Sequence, residues 1–154
     1  MRRKPTNDEL AARQHGVVTR TQLLDGGWSP SRIDRELRAR RLHQLQRGVF
    51  AVGHPALTDH GRWMAAVLAC GPGAVLSHHS AAALHRLPVG DNGLTRVTAR
   101  SVHKRPRIDV HRARLPARDR TTLHRIPVTT VARTLADLAH SLDDKSLHRA
   151  VKEA

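Results

Sequence analysis

Residues 19–52, TRTQLLDGGWSPSRIDRELRARRLHQLQRGVFAV, hold two helix starts, a glycine stop between them and a hairpin turn behind them. Thr19 and Gln22 stand at capping-box spacing, where each side chain satisfies an orphan backbone N–H of the other, so a short helix begins there. Gly26 and Gly27 end it by supplying left-handed C-cap conformations, and Trp28 folds back onto its apolar face. Ser29 offers an oxygen to the first turn of a second helix, whose first position Pro30 takes because a missing N–H costs nothing there. At about 100° per residue, Ile33 and Leu37 share one face of this helix, while Ser31, Arg32, Arg35 and Arg38 spread over the opposite one. Leu42, Leu45, Val49 and Ala51 keep a strand rhythm across Gln46-Arg47-Gly48, which predicts a two-stranded hairpin.

Two helices joined by a tight turn, the second one basic, with a hairpin behind, predict a winged helix-turn-helix over residues 1–52. Such a helix fits the major groove, where an arginine can bond guanine O6 and N7 together, and a hairpin tip meets phosphates. The candidate DNA contacts are Arg20, Thr21 and Ser31, with Arg32, Arg35 and Arg38 as the main base readers. Arg40 and Arg41 at the helix end, and Gln46 and Arg47 at the wing tip, complete the set. The competing interpretation is a solvated face in which Asp34 and Glu36 pair with neighbouring arginines.

The 27 Lys and Arg against 13 Asp and Glu give a formal charge of +14 over 154 residues. A charge of this size attracts polyanions through counterion release, which makes double-stranded DNA the expected partner. No stretch approaches the roughly 20 apolar residues of a membrane span, and the N-terminus lacks a signal peptide's apolar core, so no membrane partner and a cytoplasmic location are expected. Cys70, the one cysteine, cannot form an internal disulfide and reads as a buried small hydrophobe in WMAAVLAC.

Outside the opening stretch, Thr6 and Glu9 form another capping box ahead of a short first helix ending between Arg13 and Gly16, and Val17-Val18 lead into the two-helix turn. The basic start MRRK is expected to be disordered. A second unit is expected from residue 53 to 154, mainly helical and α+β in class. In it Thr58 caps a helix carrying Trp63, Ala66, Val67 and Cys70, and Gly71-Pro72-Gly73 stops it. Ser77 caps a second helix, HHSAAALHRL, with one of His78 and His79 packed and the other solvated. TRVTA and RIDVHRA read as strands of a small antiparallel sheet, with Pro106, Pro116 and Pro127 keeping strands short or at edges. Thr129 or Thr130 caps VARTLADLAH, whose Val131, Leu135, Leu138 and Ala139 form an apolar stripe, and a last helix carries Leu147, Ala150 and Val151.

The segments RQHGVVTRTQLL, RGVFAVGHP, RWMAAVLACGPGAVLSHHSAAALHRLP and IPVTTVARTLADLA resemble, in this order, the AbiEi-type antitoxin family, particularly its actinobacterial branch. The resemblance covers nearly the whole chain. It implies an N-terminal winged helix that binds operator DNA, with Arg32, Arg35 and Arg38 as operator contacts. It also implies a following domain that neutralises a nucleotidyltransferase-like toxin, as in type IV toxin–antitoxin systems. In related actinobacterial proteins these segments precede an endonuclease domain similar to very-short-patch repair nucleases; with the sequence stopping at Ala154, that domain is expected to be absent, which adds a truncated relative of such a two-part protein to the alternatives.

Enzyme chemistry finds little support. Asp143-Asp144-Lys145 fits the acid-x-Lys triplet of a magnesium nuclease by letters, yet it begins a helix, where acidic residues favour the positive dipole end. None of the 12 histidines are four residues apart, and HExxH and CxxC patterns are missing, so no zinc or other cofactor is expected. Ser77 and Ser80 beside His78 and His79 lack a nucleophile elbow, and the GPG at 71–73 lacks the Lys-Ser or Lys-Thr of a phosphate loop. Two readings remain. One is a non-enzymatic transcriptional regulator or antitoxin that binds its own operator as a dimer or cooperatively. The other is a protein-interaction module over residues 54–154 with only non-specific DNA affinity.

Overall fold

Threonine caps set the first helix starts. In the computed structural model, which describes residues 4–91 and 93–154, Thr6 and Glu9 close a capping box on α1 (Asn7–Arg13). Thr19 and Gln22 do the same on α2 (Arg20–Asp25). Gly27 takes the left-handed conformation (φ +91°) that ends α2, and Trp28 N–H reaches back to Leu23 O at 3.0 Å. Gly26, expected to share that role, has ordinary helical φ, and the Asn7 side chain occupies the space a Cβ would take there. Ser29 accepts from Arg32 N at 3.1 Å to start α3 (Pro30–Arg38), with Pro30 in the first turn. The expected disorder of MRRK lies outside the described residues except at Lys4, whose ammonium donates to Asp25 O.

Val17–Thr19, of which Val17-Val18 were expected only to lead into the two-helix turn, is a strand, β1. It joins β2 (Leu42–Gln46) and β3 (Val49–Val52) in an antiparallel sheet of order β1-β3-β2. Val18 lies opposite Phe50, and Leu42 opposite Val52. Ala11, Val18, Leu23, Ile33, Leu42 and Phe50 form one core, with Trp28, Leu37 and Val52 packed against it. At about 1.5–3 kcal/mol per large apolar side chain, these contacts hold α3 to the sheet. The next helix, α4 (Asp59–Ala69), is capped by Thr58, which accepts from Gly61 N at 3.1 Å. It packs on all three strands. The chain therefore divides after Ala69, rather than between residues 52 and 53 as the sequence indicated.

The second unit starts at Cys70 and is built on a mixed sheet, where the sequence predicted an antiparallel one. Its elements are β4 (Val75–Leu76), α5 (His78–Leu84), β5 (Thr95–Ala99), β6 (Ile108–Arg112), β7 (Arg120–Leu123), β8 (Ile126–Thr129), α6 (Val131–Leu138) and α7 (Asp144–Lys152). The order is β6-β5-β4-β8-β7. β4 and β8 pair in parallel, as do β5 and β6, while β4–β5 and β7–β8 are antiparallel. Ala82, Leu87 and Leu138 form a core against which Val131, Leu135 and Leu142 pack, so three of the four predicted stripe residues face inward, while Ala139, expected with them, is the exposed C-cap of α6. Thr130 supplies the α6 cap at 3.3 Å, and Asp143 caps α7. Of the apolar residues the sequence placed on this last helix, Ala150 is buried and Val151 is 55% exposed. Cys70 is half-buried just beyond α4, and desolvation holds its thiol above the ordinary value. No described helix is long and apolar enough to cross a membrane.

Candidate nucleic-acid interface

The basic residues of α3 fall into two groups. With Ile33 fully buried and Leu37 beside it, the 3.6-residue repeat turns Ser31, Arg35 and Arg38 outward. All three are exposed. Arg35 is 65% exposed, with only a 3.9 Å approach of its Nε to Glu36 Oε1. Arg38 Nε leans on the Asp34 carbonyl at 3.4 Å. These side chains reach solvent with weak tethers.

Arg32 and Arg41 lie on the flank. The Arg32 guanidinium carbon sits 4.2 Å from the Trp28 ring centroid, a cation–π stack that orients it across the start of α3. Arg41 grips Glu36 with two hydrogen bonds, Nε to Oε2 at 2.5 Å and a terminal nitrogen to Oε1 at 3.1 Å, so the pair clamps α3 to β2. Those bonds chiefly, opposed by partial desolvation and helped by the charges of Arg41, Arg35 and Arg32, hold the Glu36 carboxyl below its ordinary pKa. The Arg41 guanidinium is raised in return. Trp28, Arg32, Glu36 and Arg41 border a hollow of about 570 Å³. The sequence pointed to Arg32 and Arg41 as cations of α3 and its end; the stack and clamp that occupy them depend on tertiary geometry.

Arg40, also exposed, follows α3 in a left-handed conformation (φ +55°) usually filled by glycine. The β2–β3 hairpin turns through Arg47-Gly48, with a register shift between Gln44 and Gln46, and leaves Arg47 exposed at its tip. Gln46 is half-buried. Gly48 O accepts from Arg20 N at 2.8 Å, which ties the hairpin turn to the start of α2. Arg20 is half-buried and Thr21 exposed at that junction. A reciprocal amide pair, Gln14 to Gln22 at 2.9 Å and Gln22 to Gln14 at 2.8 Å, fixes α1 to the same corner. Thus α3, the α2 start and the hairpin are locked together by backbone and side-chain bonds.

In the second unit, Ser77 does not cap α5 with its side chain; its buried hydroxyl lies 2.9 Å from His78 Nδ1. His78, in a strained left-handed conformation (φ +50°), stacks on His111 with centroids 3.9 Å apart. Asp109 Oδ2 faces both His111 Nε2 (3.2 Å) and Arg96 Nε (3.4 Å). Burial first, then the His111 charge, pushes the His78 pKa down to about 4, and burial lowers His79 as well. Both histidines are half-buried, against the expected division into one packed and one solvated. Among the described residues, no three His, Cys, Asp or Glu side chains converge as a metal site requires. Asp143 of the acid-x-Lys triplet is engaged in capping α7, accepting from Ser146 N at 2.8 Å and Ser146 Oγ at 3.0 Å. No protein-family model matches the chain, and comparison with curated proteins returns no match.

Proposed function

We propose that this chain is a sequence-specific, double-stranded-DNA-binding regulator whose first unit acts as a winged helix. In this reading α3 enters the major groove, and the β2–β3 hairpin, the wing, lies against the backbone. The observation that carries it is the outward trio Ser31, Arg35 and Arg38, weakly tethered on a helix whose other face is locked into the core. Arg35 at the centre of that face is the principal base reader, and Arg38 and Ser31 flank it. Arg32, held on Trp28, presents an oriented guanidinium at the groove edge, and Arg40 and Arg47 meet phosphates. Arg41 acts through the Glu36 clamp that holds α3 in place.

A helix of this length reads few base pairs, so two copies on paired half-sites are the expected assembly. The antitoxin role, with a nucleotidyltransferase-like toxin as partner and autoregulation through the operator, rests on the sequence resemblance alone. The test is binding of the full chain to its own upstream DNA against a scrambled duplex of equal length at about 150 mM salt. The expected preference is roughly a thousandfold or more. Equal, salt-sensitive binding to both duplexes overturns the regulator reading.

A further inference from the structure

Residues 70–154 hold 15 of the 27 Lys and Arg and 7 of the 13 Asp and Glu, a net of +8, so the second unit carries more positive charge than the first. The excess is local. Between Leu94 and Arg125 ten Arg or Lys stand against two acids, Asp109 and Asp119. Both acids are engaged: Asp109 faces Arg96 and His111, and Asp119 holds Arg133 at 3.1 Å. Among the described residues, no acidic side chain pairs with Arg100, Lys104, Arg105, Arg107, Arg112 or Arg114.

Topology gathers these cations on one edge. Thr95 pairs with Ile108 and Ala99 with Arg112 in parallel register, so residues 100–107 must run back along the sheet before β6 can start. The return covers roughly 13 Å at about 3.3 Å per strand residue. It is tied to β6 by the Arg105–Ile108 bridge. The return segment, with Arg100, Lys104, Arg105 and Arg107, therefore runs beside the edge strand β6, whose own cation is Arg112. Arg107 turns the corner in a left-handed conformation (φ +61°), where glycine would be less strained. Packing does not require that side chain, which is exposed.

We propose that this β6 edge is a second DNA-contacting surface, which grips the phosphate backbone of double-stranded DNA without reading bases. It rests on the chain being a DNA binder but not on α3 being the reader. Like charges crowded without counter-charges repel one another, and a row of phosphates neutralises them. An acidic protein offers the same charge, but protein interfaces anchor on buried aromatic side chains, and residues 70–154 contain no Phe, Trp or Tyr. Among the described residues of this stretch the large exposed apolar side chains are two, Leu94 and Val102.

The test follows the full chain's affinity for its upstream duplex and for a scrambled duplex as a function of salt. The proteins are the wild type, Arg35→Ala, Arg107→Gly, and the combined Arg105→Gln, Arg107→Gly and Arg112→Gln variant. The combined variant is expected to lose about tenfold or more on both duplexes alike, with a salt slope reduced by about 2–3. Arg107→Gly alone is expected to weaken binding with a melting temperature equal to or above wild type, which separates lost contact from lost fold. Unchanged affinity and slope in the combined variant overturn the proposal and leave the edge to an acidic protein. A wild type with no sequence preference, alongside a reduced slope in the combined variant, refutes the regulator reading and sustains this one. Lost preference in Arg35→Ala with an unchanged slope in the combined variant does the reverse.

Discussion

Arginine and histidine occupy seven described backbone positions with positive φ: His15, Arg40, His78, Arg86, Arg107, His124 and Arg125. Such positions favour glycine, and a side chain there costs about 1–2 kcal/mol. Arg40→Gly is therefore expected to raise the unfolding free energy in urea by about 1 kcal/mol, while removing a cation from the end of α3 and weakening DNA affinity. An unfolding midpoint that falls would show that the Arg40 side chain contributes packing. His78 makes a prediction in pH. Its native pKa of about 4 lies below the ordinary 6.5, so the unfolded chain binds the extra proton. Stability is then full above about pH 6.5 and falls as pH drops toward 4, by about 2 kcal/mol after allowance for solvent screening. His79 acts in the same direction. The lowered carboxyls of Glu36 and Asp143 lose their contribution only below their ordinary values of 4.5 and 3.8. Urea midpoints measured from pH 8 to 4 check this, and His78→Asn, which tolerates the left-handed backbone, should flatten the decline. An undiminished slope would place the titration elsewhere.

At the scale of elements, helix starts in the first unit were readable because their signals sit within three residues of one another. Thr6, Thr19, Ser29 and Thr58 each cap the helix that follows. Short strands were not readable, because pairing partners far along the chain make them. Val17–Thr19 is a strand only through residues 49–51, and Val75–Leu76 only through β5 and β8. The β7–β8 hairpin was hidden for another reason: its two-residue loop, His124-Arg125, holds both residues at positive φ, where sequence rules look for Asn-Gly. Substituting His124→Asn with Arg125→Gly is expected to stabilise the chain by about 1 kcal/mol or more in a thermal melt, and a loss would contradict the turn geometry. In the proposed reading the two faces of α3 separate fold from function. Ile33, fully buried, should cost about 2–5 kcal/mol when changed to Ala. Arg35→Ala on the outer face should change stability by no more than about 0.5 kcal/mol. A large stability loss from Arg35→Ala would make that face structural.

Across the whole molecule, the sequence conveyed the α+β class, the basic helix and the hairpin. It misjudged the division of the chain, because α4's attachment to the first sheet is a matter of packing that no local signal records. Much of the candidate interface was legible as a charge pattern: Ser31, Arg35 and Arg38 follow from helix periodicity, and Arg47 from the turn. The Trp28–Arg32 stack, the Glu36–Arg41 clamp and the basic β6 edge required the folded chain. Charge spread over both units predicts strongly salt-dependent DNA affinity, but only the outward face of α3 predicts a base preference. The most direct test of that claim is the affinity of the full chain, wild type and Arg35→Ala, for every single-base variant of its preferred duplex. Loss of about 1–3 kcal/mol of discrimination at one base-pair position in the variant, with the other positions unchanged, is the predicted result. A uniform loss across all positions, or none, would contradict base reading by α3.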